Sequence, residues 1–184
     1  MRVITGTAKG RRLITLEGED IRPTAAKVKG AIFNSIQFDI EGRKVLDLFA
    51  GSGQLGIEAL SRGAEKAVFI DNSRKSLDVI KNNIELCKFS SLSEVFSSDA
   101  ISFVRNTSLK FDIVFLDPPY HKELCNKVLE DISRCLNPGA IVICETQNDE
   151  ALPSFDNGEL YLDREYNYSA IKLTVYRKRI DNGE

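Results

Sequence analysis

Asp117-Pro118-Pro119-Tyr120 is the stretch of the sequence with the most specific chemistry. Proline lacks an N–H, fixes its own φ and restricts the residue before it, so two in succession predict a stiff turn whose carbonyls can face a cavity. The Asp117 carboxylate and a rigid carbonyl then form a pair of acceptors for an exocyclic NH₂ group. Tyr120 supplies a flat face for a nucleobase, and such stacking contributes about 1–3 kcal/mol per base. We interpret these residues as candidate catalytic residues that act on a base amine.

A glycine-rich turn between a predicted strand and a predicted helix offers a second site. Gly51, Gly53 and Gly56 match the G-x-G-x-x-G pattern, in which glycines let the backbone approach a ligand closely. The pattern fits either a dinucleotide pyrophosphate or a different adenosine cofactor. Asp47, four positions before Gly51, favours the second, because a carboxylate suits a cofactor that carries a cation and would repel a pyrophosphate. Gly56 is then interpreted as a residue of helix–sheet packing.

Aspartates lie at or near the ends of the first four predicted strands of this unit, at Asp47, Asp71, Asp99 and Asp117. Singly, an aspartate after a strand is typical of a turn or a helix N-cap, but ligands of open α/β sheets bind at the carboxyl ends of the strands. Asp71 lies twenty positions after Gly51, a spacing that suits ribose hydroxyls, and Asp99-Ala100 can reach an adenine amino group. The predicted cofactor-binding residues are Asp47, Phe49, Gly51, Gly53, Asp71, Asn72, Asp99 and Ala100.

Alternating strands and helices between residues 44 and 144 are predicted to position these groups. The predicted strands are Lys44–Phe49, Ala67–Ile70, Glu94–Ser97, Asp112–Leu116 and Ala140–Cys144. The predicted helices are Leu55–Arg62, Arg74–Lys88, Ala100–Arg105 and Lys122–Leu136. Strand–helix units of this length predict an α/β fold with a parallel, doubly wound sheet. Glu159–Asp163 and Ser169–Tyr176 are predicted to pair as antiparallel strands at the edge of the sheet.

The N-terminal part of the chain is rich in basic side chains. Residues 2–16 predict a short hairpin or extended arm, and Thr24 is predicted as the N-cap of the helix that follows. We therefore divide the chain into an appendage at residues 1–40 and a main domain at residues 41–184. Lysine and arginine contribute most of the affinity for phosphate backbones. The predicted phosphate-binding residues are Lys9, Arg11, Arg12, Arg22, Thr24, Lys27 and Lys29, and Arg177-Lys178-Arg179 form a second basic run.

Composition limits the class of protein. A chain of 184 residues with a net charge of −2 is within the usual size of one globular domain. It has no apolar run of the roughly 20 residues that span a bilayer and no apolar signal-peptide core, so we expect a cytoplasmic protein. The four cysteines show no C-x-x-C spacing and there is a single histidine, so we expect reduced core cysteines and no metal site.

Two motifs carry a resemblance to a known enzyme class. The segment Asp47-Leu48-Phe49-Ala50-Gly51-Ser52-Gly53 resembles the first motif of class I S-adenosylmethionine-dependent methyltransferases, and Asp117-Pro118-Pro119-Tyr120 resembles the (D/N/S)PP(Y/F) motif of their amino-methylating branch. More narrowly, the chain up to about Arg179 resembles the RsmD family of bacterial enzymes that methylate guanine N2 in 16S ribosomal RNA. The further matching signatures are Gly10-Arg11-Arg12-Leu13, Arg22-Pro23-Thr24 with Val28, Phe33 and Asn34, and Leu55-Gly56-Ile57-Glu58-Ala59-Leu60-Ser61-Arg62-Gly63-Ala64. Ser73 departs from the family, in which a second acidic residue often follows the second strand.

The resemblance implies a Rossmann-like methyltransferase fold, with a seven-stranded, mostly parallel sheet and an antiparallel C-terminal strand pair. It implies S-adenosylmethionine as the cofactor, with S-adenosylhomocysteine as the product. The implied substrate is 16S rRNA, within an assembling or assembled small ribosomal subunit, and the expected enzyme is a monomer whose N-terminal appendage binds RNA. Asp117 and the Pro118 carbonyl would hold the N2 hydrogens while Tyr120 stacks on the unstacked base.

Three alternatives stay open at this point. Adenine-N6 and cytosine-N4 methyltransferases use the same acceptors on DNA or another RNA, although the chain lacks room for a separate DNA-recognition domain. An NAD-dependent oxidoreductase would need a substrate domain and catalytic groups that the residues after the glycine turn do not obviously supply. A non-catalytic RNA-binding relative would have no need of an intact Asp117-Pro118-Pro119-Tyr120.

Overall fold

Seven strands form one sheet, with the order β3-β2-β1-β4-β5-β7-β6. The computed structural model describes residues 1–16, 23–120, 123–155 and 158–180. The first five strands are parallel, and β7 runs antiparallel to both β5 and β6. This arrangement confirms the predicted fold class. The strands are β1 (Lys44–Leu48), β2 (Lys66–Asp71), β3 (Ser93–Ser97), β4 (Phe111–Leu116), β5 (Leu136–Gln147), β6 (Leu160–Tyr168) and β7 (Ile171–Lys178).

Helices cover both faces of the sheet, and alternate side chains of each central strand enter two different hydrophobic clusters. In β1, Val45 packs in the cluster of α1 to α3, whereas Leu46 and Leu48 pack with α4 and α5. A strand that is buried on both faces is mostly apolar along its length, as β1 is. The helices are α1 (Pro23–Ser35), α2 (Gln54–Ser61), α3 (Arg74–Cys87), α4 (Ala100–Asn106) and α5 (Leu124–Leu129), with 3₁₀ turns at Ser90–Leu92 and Ile132–Cys135. None of the helices in these described ranges is long and apolar enough to cross a membrane.

The segment before β5 differs from the prediction. The predicted helix Lys122–Leu136 is replaced by the short α5 and a 3₁₀ turn, and its first residue, Lys122, lies outside the described residues. β5 already begins at Leu136, which pairs with Phe111 of β4. The next pair joins Ile113 to Ile141, so β5 has extra residues between the two pairs and forms a bulge that contains Pro138. A bulge accommodates proline, which cannot donate to the ladder.

The C-terminal hairpin is longer than predicted. The expected connection at residues 164–168 belongs to β6, and the chain turns at Ser169 and Ala170 instead. The antiparallel pair at the sheet edge is confirmed.

The N-terminal residues form the predicted hairpin, which we call the arm (residues 1–16). Arg2 and Arg12 form an antiparallel bridge, and the N–H of Val3 donates to the Arg11 carbonyl at 3.0 Å. α1 begins at Pro23, so Thr24 lies inside its first turn and the N-cap prediction was wrong. Proline suits the first helical position because the N–H it lacks has no intrahelical partner there. The described residues of the arm and of α1 lie in the same hydrophobic cluster as one face of the sheet.

Candidate active site

A cavity of about 740 Å³ opens at the carboxyl ends of β1 to β5, next to the point where the strand order reverses between β1 and β4. Such a switch point is where open α/β sheets bind ligands. The cavity brings the glycine turn, the Asp-Pro-Pro-Tyr turn and both ends of the arm together. Its lining residues are Met1, Leu16, Phe49, Gly51, Gln54, Ile70, Asp71, Asn72, Ser73, Ser76, Ser98, Asp99, Ala100, Asp117, Pro118, Pro119, Tyr120 and Glu145.

Asp71 faces this cavity and also holds the glycine turn. Its Oδ2 accepts from the N–H of Gly51 at 2.9 Å, and its Oδ1 accepts from the N–H of Ser73 at 2.8 Å. Each carboxylate oxygen has two lone pairs, so both can accept a further hydrogen bond from a ligand hydroxyl. The predicted residues Phe49, Gly51 and Asn72 line the same wall of the cavity.

The two other glycines of the pattern lie away from the cavity wall. Gly53 has a φ of 75°, a left-handed conformation in which glycine is unstrained, and it precedes α2. A Cβ added to Gly56 would lie 2.3 Å from the ring of Phe69 on β2, which is far inside contact distance. The interpretation of Gly56 as a helix–sheet packing residue is confirmed.

Asp47 occupies a different place from the one predicted. Its side chain is 2% exposed and does not line the cavity. Oδ2 accepts from the N–H of Gly56 at 2.8 Å, so the carboxylate binds one of the amides in the first turn of α2 that have no partner within the helix. The structure therefore corrects the expectation of a carboxylate that reaches a ligand from the tip of the strand. Asp47 thus positions the start of α2, directly after the turn that carries Gly51.

Asp99 and Ala100 also line the cavity, between the end of β3 and the first turn of α4. Asp99 is the N-cap of α4, and its Oδ1 accepts from the N–H of Ser102 at 2.9 Å. The same carboxylate can therefore serve as a cap and as part of the cavity wall.

The Asp-Pro-Pro-Tyr turn forms the wall that follows β4. Asp117 and Tyr120 are half-buried, Pro118 is buried and Pro119 is exposed. The Tyr120 hydroxyl donates to Oε1 of Glu145 at 2.9 Å, and Glu145 lines the cavity from the carboxyl end of β5. Burial raises the pKa of Glu145, and the hydrogen bond from Tyr120 partly opposes this shift. Sequence reasoning missed Glu145 because the fifth strand was predicted to end at Cys144.

Gln54 is a second cavity residue that sequence reasoning missed. It is the first residue of α2, one position before the predicted start, and its Oε1 is buried without a hydrogen-bond partner among the residues that the structure describes. A buried unpaired acceptor costs free energy until a ligand donor reaches it. S-adenosylmethionine, which the resemblance implies, carries both an ammonium group and ribose hydroxyls. Gln54, Asp71 and Asp99 provide acceptors for such donors, so the described residues fit that cofactor.

The basic residues of the N-terminal part divide into two groups. Lys9, Arg11 and Arg12 on the arm and Lys27 on α1 are exposed. Lys29 is only 2% exposed, and its Nζ lies 3.1 Å from Oε2 of Glu58, so the prediction that it contacts phosphates was wrong. Burial lowers the pKa of Lys29, and the neighbouring Glu58 carboxylate partly restores it. Arg22 lies outside the described residues, as does the side chain of Thr24.

The C-terminal basic run is engaged within the protein. Arg177 forms ion pairs with Asp163 and Asp39, and Lys178 pairs with Glu159. These contacts leave the arm as the better candidate for a phosphate-binding surface.

The four cysteines lie in the core of the protein. All four cysteines are buried and free, which confirms the prediction of reduced core cysteines. Within the described ranges, no group of three His, Cys, Asp or Glu side chains could hold a metal ion.

Comparison with known proteins gives consistent matches over most of the chain. The family model described as conserved hypothetical protein 95 matches residues 1–177. The ribosomal RNA small subunit methyltransferase D of Haemophilus influenzae is 36% identical over 169 residues, covering 89% of this chain and 88% of the relative. The Escherichia coli K12 protein of the same name is 34% identical over 157 residues, covering 84% and 78% respectively. A solved structure from Escherichia coli, described as a candidate methyltransferase, has a TM-score of 0.85 at 29% identity and covers 98% of this chain and 99% of its own.

Proposed function

Because the chain belongs to the family described as conserved hypothetical protein 95, the RsmD family, we propose that it transfers a methyl group from S-adenosylmethionine to the exocyclic N2 of a guanine in 16S ribosomal RNA. One observation carries the proposal: the glycine turn and the Asp-Pro-Pro-Tyr turn line the same cavity. A cofactor held at the first turn is then within reach of an amine held at the second. Proximity of this kind lowers the entropic part of the barrier to transfer.

The cofactor part of the cavity lies between β1 and α4. Asp71 accepts from the ribose hydroxyls, and Asp99 with Ala100 borders the adenine. Gln54 Oε1, for which the described part of the chain offers no donor, would accept from the ammonium group of the methionine moiety. Asp47 acts indirectly, through its hydrogen bond to the N–H of Gly56.

The amine part of the cavity is the Asp-Pro-Pro-Tyr turn. The bound cofactor supplies a methyl group on a positively charged sulfur. Guanine N2 is a poor nucleophile because its lone pair is delocalised into the ring. Asp117 and the Pro118 carbonyl accept from the two N2 hydrogens, which orients the lone pair and disperses the positive charge that develops on nitrogen. Asp117, which would already hold one N2 hydrogen, would take that proton when the amine receives the methyl group and S-adenosylhomocysteine is left as the product.

The arm provides the surface for RNA phosphates. Lys9, Arg11 and Arg12 are exposed on it, and its ends, Met1 and Leu16, line the cavity. Cations on the arm would therefore hold RNA close to the point where a base enters. The base must leave its stack to reach Asp117, and Tyr120 offers the face on which it stacks. The names of the two relatives, which specify small-subunit ribosomal RNA, support 16S rRNA as the polymer.

Methyl transfer to competing polymers tests this function. Purified protein and labelled S-adenosylmethionine are incubated with undermethylated small subunits, free 16S rRNA and DNA. We expect label in small subunits or free 16S rRNA and none in DNA. Label in DNA alone would instead support the adenine-N6 or cytosine-N4 alternative, which uses the same Asp-Pro-Pro-Tyr acceptors.

A further inference from the structure

Glu145 is a carboxylate in the cavity to which the transfer chemistry assigns no role. It lies at the carboxyl end of β5, the strand that neighbours β4, and it lines the cavity together with Asp117 and Pro118. Its Oε1 accepts from the Tyr120 hydroxyl at 2.9 Å, so its orientation is tied to the turn that holds the amine. Burying a carboxylate is unfavourable unless donors meet it. A carboxylate has about four lone-pair sites, so Glu145 can accept from a ligand as well as from Tyr120.

The edge of guanine provides a donor in the matching position. Next to the N2 amino group, guanine carries N1–H, which is a second donor. Adenine carries an unprotonated N1 beside its N6 amino group, and cytosine carries an unprotonated N3 beside its N4 amino group. An amine held by Asp117 and Pro118 therefore has a donor beside it in guanine and a lone pair beside it in the other two bases. A carboxylate attracts the first and repels the second.

We propose that Glu145 determines the base specificity of the site, by accepting a hydrogen bond from N1–H of the guanine whose N2 is held by Asp117 and Pro118. This inference rests on the proposed function and adds the residue that reads the base. Tyr120 is a positioning residue in this respect, since its hydroxyl orients the Glu145 carboxylate. Enzymes read an extruded base through hydrogen bonds to its Watson–Crick edge. Among the bases that carry an exocyclic amine, only guanine has a ring N–H beside that amine for the carboxylate to read.

Replacing the target guanine with an analogue that lacks N1–H tests that donor separately from the N2 amine. The methylated guanosine is first located by the transfer assay, and a substrate RNA is then assembled with 2-aminopurine at that position. 2-Aminopurine keeps the exocyclic amine, lacks the guanine O6 and has a lone pair in place of N1–H, so comparing the wild-type protein with Glu145→Gln isolates the effect at N1. The measured quantity is the ratio of kcat/KM for guanine to kcat/KM for 2-aminopurine. A site built to bind a donor rejects an analogue without it by a factor of about 10⁴ or more, and we expect a ratio of at least about 10² here.

The Glu145→Gln variant changes the acceptor with almost no change in shape. Its amide can rotate to donate to the N1 lone pair of 2-aminopurine, so the ratio should fall to about 10 or less. Tyr120→Phe, which removes the hydroxyl that orients Glu145, should lower the ratio by a smaller factor. Glu85→Gln makes the same change at an exposed carboxylate on α3 and is the matched control. This variant should keep the wild-type ratio of the two kcat/KM values. Affinity for S-adenosylmethionine, measured by calorimetry, should be the same in all the variants and shows that they are folded.

The outcomes distinguish this inference from the function on which it rests. If the wild-type protein methylates guanine N2 and Glu145→Gln keeps the wild-type ratio, Glu145 does not read N1–H and the inference is wrong. A wild-type ratio near 1 would also contradict it. If the wild-type protein produces no N2-methylguanosine at all, the proposed function itself is overturned.

Discussion

Lys29 and Glu58 form an ion pair inside the protein, with Nζ 3.1 Å from Oε2 and neither side chain more than 2% exposed. The Glu58 carboxylate also accepts from the N–H groups of Ile4 and Thr5, at 2.7 and 3.0 Å, and from Nε of Arg62 at 3.0 Å. One buried carboxylate on α2 thus joins α1 and the arm to that helix. Hydrogen bonds from Ala8 to Ser61 and between Ile14 and Asn83 hold the arm as well.

Removal of the Glu58 carboxylate should destabilise the protein strongly. Glu58→Ala leaves the Lys29 ammonium buried without its partner and frees two arm amides, and breaking a buried pair in this way costs about 3–5 kcal/mol. The free energy of unfolding in urea measures the effect. Glu85→Ala, on the exposed face of α3, is the control and should change stability by less than about 0.5 kcal/mol. A loss equally small for Glu58→Ala would contradict the role of the pair.

Charge reversal on the arm should weaken RNA binding alone. Arg11→Glu/Arg12→Glu replaces two exposed cations, so both the affinity for 16S rRNA and its dependence on salt should decrease. Binding of S-adenosylmethionine should not change. Arg43→Glu/Lys44→Glu carries the same charge change to the start of β1, at the opposite end of the strand from the cavity, and should have a smaller effect. Equal losses in the two double variants would show that the arm has no special role.

A methyl group at position 56 should disturb the packing of α2 against β2. In Gly56→Ala the new Cβ would lie 2.3 Å from the Phe69 ring, so the core must shift, and overpacking of this kind costs about 1–3 kcal/mol. Thermal unfolding should report the loss. The double variant Gly56→Ala/Phe69→Leu, which removes the ring, should lose less stability than the sum of the two single changes. If the stability losses of the two single variants simply add up in the double variant, the Phe69 ring is not what the new methyl group clashes with.

The regular part of the sheet could be predicted from the sequence, because buried parallel strands leave continuous apolar runs that end at aspartates. The strand β5 was predicted only from Ala140, since Pro138 and Gly139 are typical of a turn and give no sign of the bulge that pairing with β4 creates. Glu145 was missed for the same reason at the other end of that strand.

The electrostatic partners could not be predicted in the same way. Lys29 is one of several basic residues near the N-terminus, and its partner Glu58 lies on another helix, so only the packing of α1 against α2 reveals that it is buried. Asp47 was predicted as a cofactor-binding carboxylate, but its side chain instead accepts from the N–H of Gly56, a bond that depends on how α2 begins. The patterns identified the two turns that line the cavity, whereas the three-dimensional packing decides which side chains face it.

The most direct test of the central claim is the identity of the methylated atom, measured together with the Asp117→Ala variant. Small subunits are methylated with labelled S-adenosylmethionine, digested to nucleosides and analysed by mass spectrometry. The wild-type protein should yield N2-methylguanosine, and Asp117→Ala should yield none while its affinity for S-adenosylmethionine is retained. Label in N6-methyladenosine or N4-methylcytidine, or full turnover by Asp117→Ala, would contradict the account.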